Sequence, residues 1–262
     1  MSILTILTDF GTQDGFIGVM KGVIWGICPD VQIADLSHEI TPQNVLHGAV
    51  TLSRVAPFFP AGTVHVAVVD PGVGTARRAI AAQLGTQLYV APDNGLLTPL
   101  IQDAEARHLP LTFVALDNPD YWLKSITGTF HGRDLFAPVG GHLAAGVPLE
   151  ELGTLIDNPV RLEMPTPEKT ATGWKAHITL IDHFGNIRTD LRADKVDVNA
   201  TIRIADVEIK GMIKSYGHKD VGTLVALGDS GGYLEIAVVN GNAAKRLSAQ
   251  VGDIVEVIQP SS

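Results

Sequence analysis

The first part of the chain alternates short β-branched runs with stretches of helical periodicity: SILTILTDFG, DGFIGVMKGVIWGICPD, VQIADLS, TPQNVLHGAVTLSRVAPFF, TVHVAVVDPG and QLYVAPDNG. Such alternation predicts β/α units around a largely parallel sheet, whose strands are near-continuously apolar because helices cover both faces. Thr41 and Pro42 read as the N-cap and first position of the second helix. Beyond Asp157 the pattern dissolves into NPVRLEMPTPEKTATGWK, the Pro/Thr-rich composition of a linker. From Ala176 on, AHITLID, TIRIADVEIK, TLVAL, YLEIAVV and DIVEVIQ alternate with period two, and no helix of any length is expected. This half predicts a smaller antiparallel, barrel-like β domain. The expected division is an α/β domain over 1–160, a linker over 161–174 and a β domain over 175–262.

Composition narrows the class. With 262 residues, 45% hydrophobic and 18% charged, the chain buries a large core in one big or two smaller domains. A formal charge of -9 without a Lys/Arg cluster argues against nucleic acid and is compatible with a cationic ligand. MSILTILTDFGTQDG carries no basic leader, so neither a signal peptide nor a membrane span is expected. Cys28 is the single cysteine, which rules out an internal disulfide and points to the cytoplasm.

GDSGG at residues 228–232 spells the surroundings of a trypsin-like nucleophile, but Ser230 lacks the setting that chemistry needs. None of the nine histidines stands in the context of that family's base, and no disulfide brace can form. A glycine-rich turn between TLVAL and YLEIAVV, with its backbone close to a ligand, is the alternative. Three predicted strands end in an acid, at Asp9, Asp70 and Asp93. Ligands of open α/β sheets bind outside the carboxyl ends of the strands, so these acids would converge on one crevice. DPGVGTARR adds two glycines and the guanidinium of Arg77, and TFHGRDLFAP adds His131 on the flank of Gly132. A tight turn with an incidental ion pair and a structural histidine are the plainer readings of those two stretches. Asp9, Asp70, Asp93, Asn94 and His131 are also ligand types of a two-metal phosphohydrolase. The chain has no HxxxH or HExxH pair and no GNH run, so metal-independent chemistry is expected.

LTDFGTQDGFIG, SHEITPQNVLHGA, VVDPGVGTARR, PDNGLL, TFHGRDLFAP, IDHFGN and GYLEIAVVNGNAA, in this order, resemble the adenosine-forming S-adenosylmethionine hydrolases, relatives of the fluorinase and chlorinase. The resemblance runs from Ile6 to about Ala244. It implies hydrolysis of S-adenosyl-L-methionine to adenosine and L-methionine by in-line attack of water on the ribose C5′, with no cofactor. The alternatives are a non-catalytic nucleoside-binding module and the metal-dependent phosphohydrolase. The catalytic trio of the hydrolases maps onto Asp70, Arg77 and His131; fluorinases carry Tyr at the Asp70 position and Ser at the Gly132 position. Asp9 would take the ribose hydroxyls, Asp14 and Asp182 would face the methionine amine, and Asn186 the adenine edge. Phe184 or Tyr216 would lie against the adenine ring, with Glu235 and Val238 near it and Ser230 at the amino-acid end. Halogenases place Arg near the position of Gly231, which this chain lacks. The resemblance also implies a homo-trimer with sites at subunit interfaces.

Overall fold

The computed structural model describes residues 2–260. The chain divides into two compact units, Met1–Glu163 and Met164–Ser262. In the first unit the elements run β1 (Ile3–Thr8), α1 (Phe16–Ile27), β2 (Gln32–Ser37), α2 (Val45–Val55), β3 (Val64–Val68), β4 (Ala79–Leu84), β5 (Gln87–Pro92), α3 (Thr98–Ala106), β6 (Leu111–Ala115), α4 (Ala137–Ala144) and β7 (Thr154–Ile156). They form a seven-stranded sheet of order β2-β1-β3-β5-β4-β6-β7. The pairs β1–β2, β1–β3 and β3–β5 are parallel, whereas β4, β6 and β7 pair antiparallel.

Alternation along the strands feeds two cores. Leu4, Ile6, Val64, Val66 and Val68 pack on one face with Met20 and Ile24 of α1 and Val139 and Leu143 of α4. Leu7, Ala67, Val69, Tyr89 and Ala91 pack on the other with Ala49 and Leu52 of α2 and Leu100 and Ile101 of α3. Each fully buried aliphatic side chain contributes about 1.5–3 kcal/mol, so both faces are held strongly. Gly140 decides how closely α4 approaches: a Cβ there would lie 2.4 Å from Cγ2 of Val66.

α2 begins later than the sequence predicts. Asn44, not Thr41, is the cap, its Oδ1 accepting from the amide of His47 at 2.9 Å. Thr41 and Pro42 lie in the preceding turn, in which Gln43 adopts a left-handed φ of 64°. That turn presents the Gln43 amide to a carboxylate, as described below.

The second unit contains β8 (Glu168–Lys169), β9 (Gly173–Ile181), β10 (Ile187–Arg192), β11 (Thr201–Ile204), β12 (Val207–Lys210), β13 (Leu224–Gly228), β14 (Tyr233–Val238), the short helix α5 (Ala243–Leu247) and β15 (Ile254–Ile258). Its strands pair antiparallel in the order β12-β11-β15-β9-β10-β14-β13, with β8 on β9. The amide of Ile213, just past β12, donates to Ala226 of β13 at 2.8 Å, which draws the two ends of the path together into a nearly closed barrel. Ile178, Ile187, Ile202, Ile236 and Val255 fill it. Among the described residues no helix is long and apolar enough to cross a membrane.

Candidate active site

The three acids predicted at strand ends stand at the carboxyl ends of three adjacent parallel strands, Asp9 after β1, Asp70 after β3 and Asp93 after β5. Their fates differ. Asp93 is a structural clasp: one oxygen accepts from the Nε of Arg78 at 2.8 Å and the other from the amide of Val160 at 2.7 Å, while Arg78 also grips Asn158. Asp70 pairs with Arg77, whose Nε donates to both carboxylate oxygens at 2.9 and 3.0 Å and whose Nη2 donates to Oδ2. Both side chains are nearly buried, at 5% and 11% exposure, so their charges meet with little water between them.

Arg77 does a second thing. Its Nη2 lies 2.9 Å from Nδ1 of His131. A guanidinium only donates, so Nδ1 is the acceptor and the ring proton sits on Nε2. Burial, followed by the positive charge of Arg77, pushes the His131 pKa below its ordinary value, which keeps the ring neutral at physiological pH. One guanidinium therefore joins Asp70 and His131 into a single array.

Local structure explains how two residues 54 positions apart are brought to this distance. The segment after Asp70 is a pair of tight turns, with Val73 donating to the Asp70 carbonyl and Thr75 to that of Gly72. Gly74 has φ +76°, and a Cβ on it would lie 2.2 Å from the carbonyl oxygen of Gly128, so only glycine lets the two loops touch. The 123–131 loop is pinned from beneath by Asp134, which has no exposed side-chain surface. Asp134 accepts from the amide and the hydroxyl of Thr127, both at 2.7 Å, and from Arg133 Nε at 2.5 Å. Burial opposes its ionisation, but the hydrogen bonds from Arg133 and Thr127 prevail and hold its pKa below the usual carboxylate value. His131 caps a single π-helical turn, Gly132–Phe136, that leads into α4. Such turns are rare and gather at functional sites.

Asp9 receives the Gln43 amide on Oδ2 at 2.7 Å. Asp14 is exposed in the loop before α1. Of the first unit's candidates, then, Asp70, Arg77 and His131 are in direct contact.

In the second unit the candidates form two groups. Asp182 Oδ1 accepts the amides of Phe184 and Asn186 at 2.9 and 2.8 Å, and its Oδ2 accepts the Asn186 side-chain amide at 3.0 Å. That carboxylate shapes the turn and leaves the ring of Phe184 71% exposed. The hydroxyl of Tyr216 donates to Oε1 of Glu235 at 2.5 Å. Burial and that negative neighbour raise the Tyr216 pKa, so it stays a donor. Val238 is buried in β14. Ser230 is exposed at the tip of the β13–β14 hairpin, and no histidine hydrogen-bonds to it among the described residues. The turn reading of GDSGG stands.

Two residues behind that turn were not anticipated. Asp229 Oδ1 accepts the amides of Gly231 and Tyr233, each at 2.8 Å, and its Oδ2 accepts from Arg188 Nε at 3.0 Å. The Arg188 guanidinium lies 3.9 Å over the Tyr233 ring. The signal was present: in NIRTD, period-two alternation puts Arg188 on the same strand face as Asn186.

Comparison with known proteins decides what kind of chain this is. Residues 4–153 match the SAM hydroxide adenosyltransferase N-terminal domain, and residues 176–256 match the corresponding C-terminal domain. The chain belongs to the SAM hydroxide adenosyltransferase family. It is 39% identical to an (R)-S-adenosyl-L-methionine hydrolase from Salinispora tropica over 97% of either chain. A fluorinase from an Actinoplanes species is 33% identical over 77% of each. The solved structure of an uncharacterized conserved protein from Thermotoga maritima superposes with a TM-score of 0.90 at 36% identity, covering 98% of this chain and all of the other.

Proposed function

We propose that the protein hydrolyses S-adenosyl-L-methionine to adenosine and L-methionine, without a metal, by in-line attack of water on the ribose C5′. The observation that carries this reading is the Asp70–Arg77–His131 array in a member of this family. A module that only bound the nucleoside would gain nothing from it.

The sulfonium leaves readily, so the protein supplies a placed nucleophile rather than an acid. As the water oxygen bonds to C5′, the C5′–S electron pair returns to sulfur and the water loses a proton. A carboxylate with a pKa of about 4 is a weak base towards water at about 15.7, so Asp70 acts by aligning and polarising the water and collects the proton as the C–O bond forms. Arg77 fixes the orientation of Asp70. Because His131 Nδ1 is engaged by Arg77, His131 acts as a donor through Nε2–H, not as the base. Asp70 stands where a fluorinase has Tyr and Gly132 where it has Ser, which favours water over halide.

Asp9 takes the ribose hydroxyls, since a carboxylate suits two adjacent donors. Asn186, Phe184, Tyr216, Glu235 and Val238 serve the adenine, Ser230 the amino-acid end, and Asp14 and Asp182 the amine, Asp182 while shaping its turn. The protein works in the cytoplasm as a homo-trimer with sites at subunit interfaces. An unusual surface supports the association: α1 exposes Phe16, Val19 and Trp25 alongside Gly18, Gly22 and Gly26, an apolar face suited to a second copy. Incubation with S-adenosylmethionine followed by chromatography tests the reaction. Adenosine and methionine in equal amounts are expected; unchanged substrate, or cleavage to other products, overturns the reading.

A further inference from the structure

Beside the Asp70–Arg77–His131 array lies a cavity of about 420 Å³, lined by Phe10, Phe16, Thr127, Thr129, Phe130 and Arg133. Thr127 and Arg133 serve Asp134 and Phe16 belongs to the exposed face of α1, but none of the lining residues was assigned a part in holding substrate. The three phenylalanines meet edge to face, with ring centroids 6.1 Å (Phe10–Phe16), 5.9 Å (Phe10–Phe130) and 5.2 Å (Phe16–Phe130) apart. Phe16 lines the cavity while remaining 44% exposed. Its walls are next to the reacting groups along the chain: Phe10 follows Asp9, Phe130 precedes His131, and a Cβ on Gly132, the residue after His131, would lie 3.1 Å from both rings.

We propose that this aromatic cavity is the subsite for the sulfonium centre of the substrate, an inference that rests on the hydrolase reading above. A sulfonium carries a full positive charge but no N–H or O–H, so no acceptor can hydrogen-bond to it. The groups that hold such a weakly hydrated cation are aromatic π-systems, as for quaternary ammonium ligands. Phe130 already takes a cation in this way, with the Arg133 guanidinium 5.2 Å from its centroid. That charge is balanced by the buried Asp134, so the cavity is not left electropositive by it. The same walls suit the neutral thioether that results, since sulfur also makes favourable contacts with aromatic rings.

The assignment has a kinetic consequence that a packing role lacks. Attack at C5′ forms the C–O bond and returns the C–S pair to sulfur, so the positive charge leaves sulfur as the reaction proceeds. Cation–π stabilisation is then stronger in the bound substrate than in the transition state, and it serves affinity and discrimination rather than rate. Removing a π face without removing bulk raises KM while leaving kcat unchanged or higher.

The test is Phe16→Leu and Phe130→Leu, each in the full chain. Affinity is measured by calorimetry in an Asp70→Asn background, for S-adenosylmethionine and for the uncharged S-adenosylhomocysteine; KM and kcat are measured with Asp70 intact. The expected result is a loss of about 3- to 10-fold in affinity for the sulfonium ligand, no matching loss for the thioether, and no fall in kcat. Equal losses for both ligands, or a fall in kcat at unchanged KM, overturns the subsite. Should Phe130→Leu fail to fold, Phe16→Leu carries the test alone, because its ring is already half in solvent. Absence of turnover in the unsubstituted protein overturns the hydrolase reading instead, and the ratio of the two affinities still judges the subsite.

Discussion

The two units hold their candidate residues in opposite ways. In the α/β unit, Asp70 and Arg77 are nearly buried, joined to His131, and framed by loops that fit only because Gly74 lacks a side chain. In the β unit, Ser230 and Phe184 are exposed at turn tips, and the carboxylates of Asp229 and Asp182 do the holding by accepting backbone amides. On the proposed function the difference is one of purpose. Groups that act on reacting atoms gain from a dry, fixed setting in which charge is strongly felt. Groups that grip the rest of a substrate need access, and their order comes from capped turns. Substitutions in the Asp70–Arg77–His131 array are therefore expected to change kcat, and those at the capped turns of the second unit to change KM.

The sharpest break of that contrast is Asp70→Asn. It keeps the shape and removes the charge, so turnover is expected to fall by about 10² to 10⁴, the range of a lost general base. KM should change little, as measured by steady-state assay with chromatographic detection.

Asp229→Ala probes the opposite side. Two backbone amides and the Arg188 guanidinium lose an acceptor, which is expected to lower unfolding free energy by about 2–3 kcal/mol in urea titration. KM should rise about tenfold while kcat stays within about threefold. An equal loss in kcat would erase the distinction between the two units.

A third expectation concerns pH and stability. His65, in β3 within the parallel sheet, is fully buried, bonded through Nδ1 to Thr5 Oγ1 at 2.7 Å and stacked on Tyr89, and burial lowers its pKa from 6.5 to about 4. The unfolded chain takes up the proton first. Stability from this group is complete above pH 6.5 and is lost as pH falls towards 4, at about 1.4 kcal/mol per pH unit, roughly 3 kcal/mol in all. Urea titrations at pH 7, 5.5 and 4.5 measure the slope, and His65→Gln is expected to flatten it.

Catalysis has its own pH signature. His131 is neutral because burial and Arg77 lower its pKa. Turnover should stay level as pH falls through the ordinary histidine range and decline only below it, when protonated Nδ1 breaks its bond to Arg77. A rate that drops in step with an ordinary histidine would show that His131 is not held in this way. The smallest effect belongs to Ser230→Ala, an exposed hydroxyl: KM should rise by a few fold, about 1 kcal/mol for one hydrogen bond. Stoichiometric labelling of Ser230 by a fluorophosphonate would contradict its lack of a base.

Much of this was legible in the residues, for reasons that differ by element. β1 and β3 carry β-branched runs, each of β1, β3 and β5 is followed within two residues by Asp, and the parallel pairing of the three follows from their apolar character. β4 was harder: AIAAQL is mostly alanine, has little β propensity, and owes its place to the antiparallel neighbours on either side. Asn44 displaced Thr41 as cap because the Thr41–Pro42 turn is used to bring the Gln43 amide to Asp9, a long-range demand that no local signal carries. Asp70, Arg77 and His131 were found by type and resemblance. That Arg77 sits between the other two, and that Asp134 anchors the loop beneath His131, depends on a π turn and a glycine contact 54 residues apart in sequence, which no pattern encodes.

The central claim is that the Asp70–Arg77–His131 array places water against C5′. Turnover of S-adenosylmethionine in ¹⁸O water, followed by mass spectrometry of the nucleoside, tests it directly. The account predicts one ¹⁸O atom at the 5′ hydroxyl of adenosine, formed by the intact protein and lost to the same degree as turnover in Asp70→Asn. Unlabelled adenosine, or label incorporated at undiminished rate by Asp70→Asn, would contradict it.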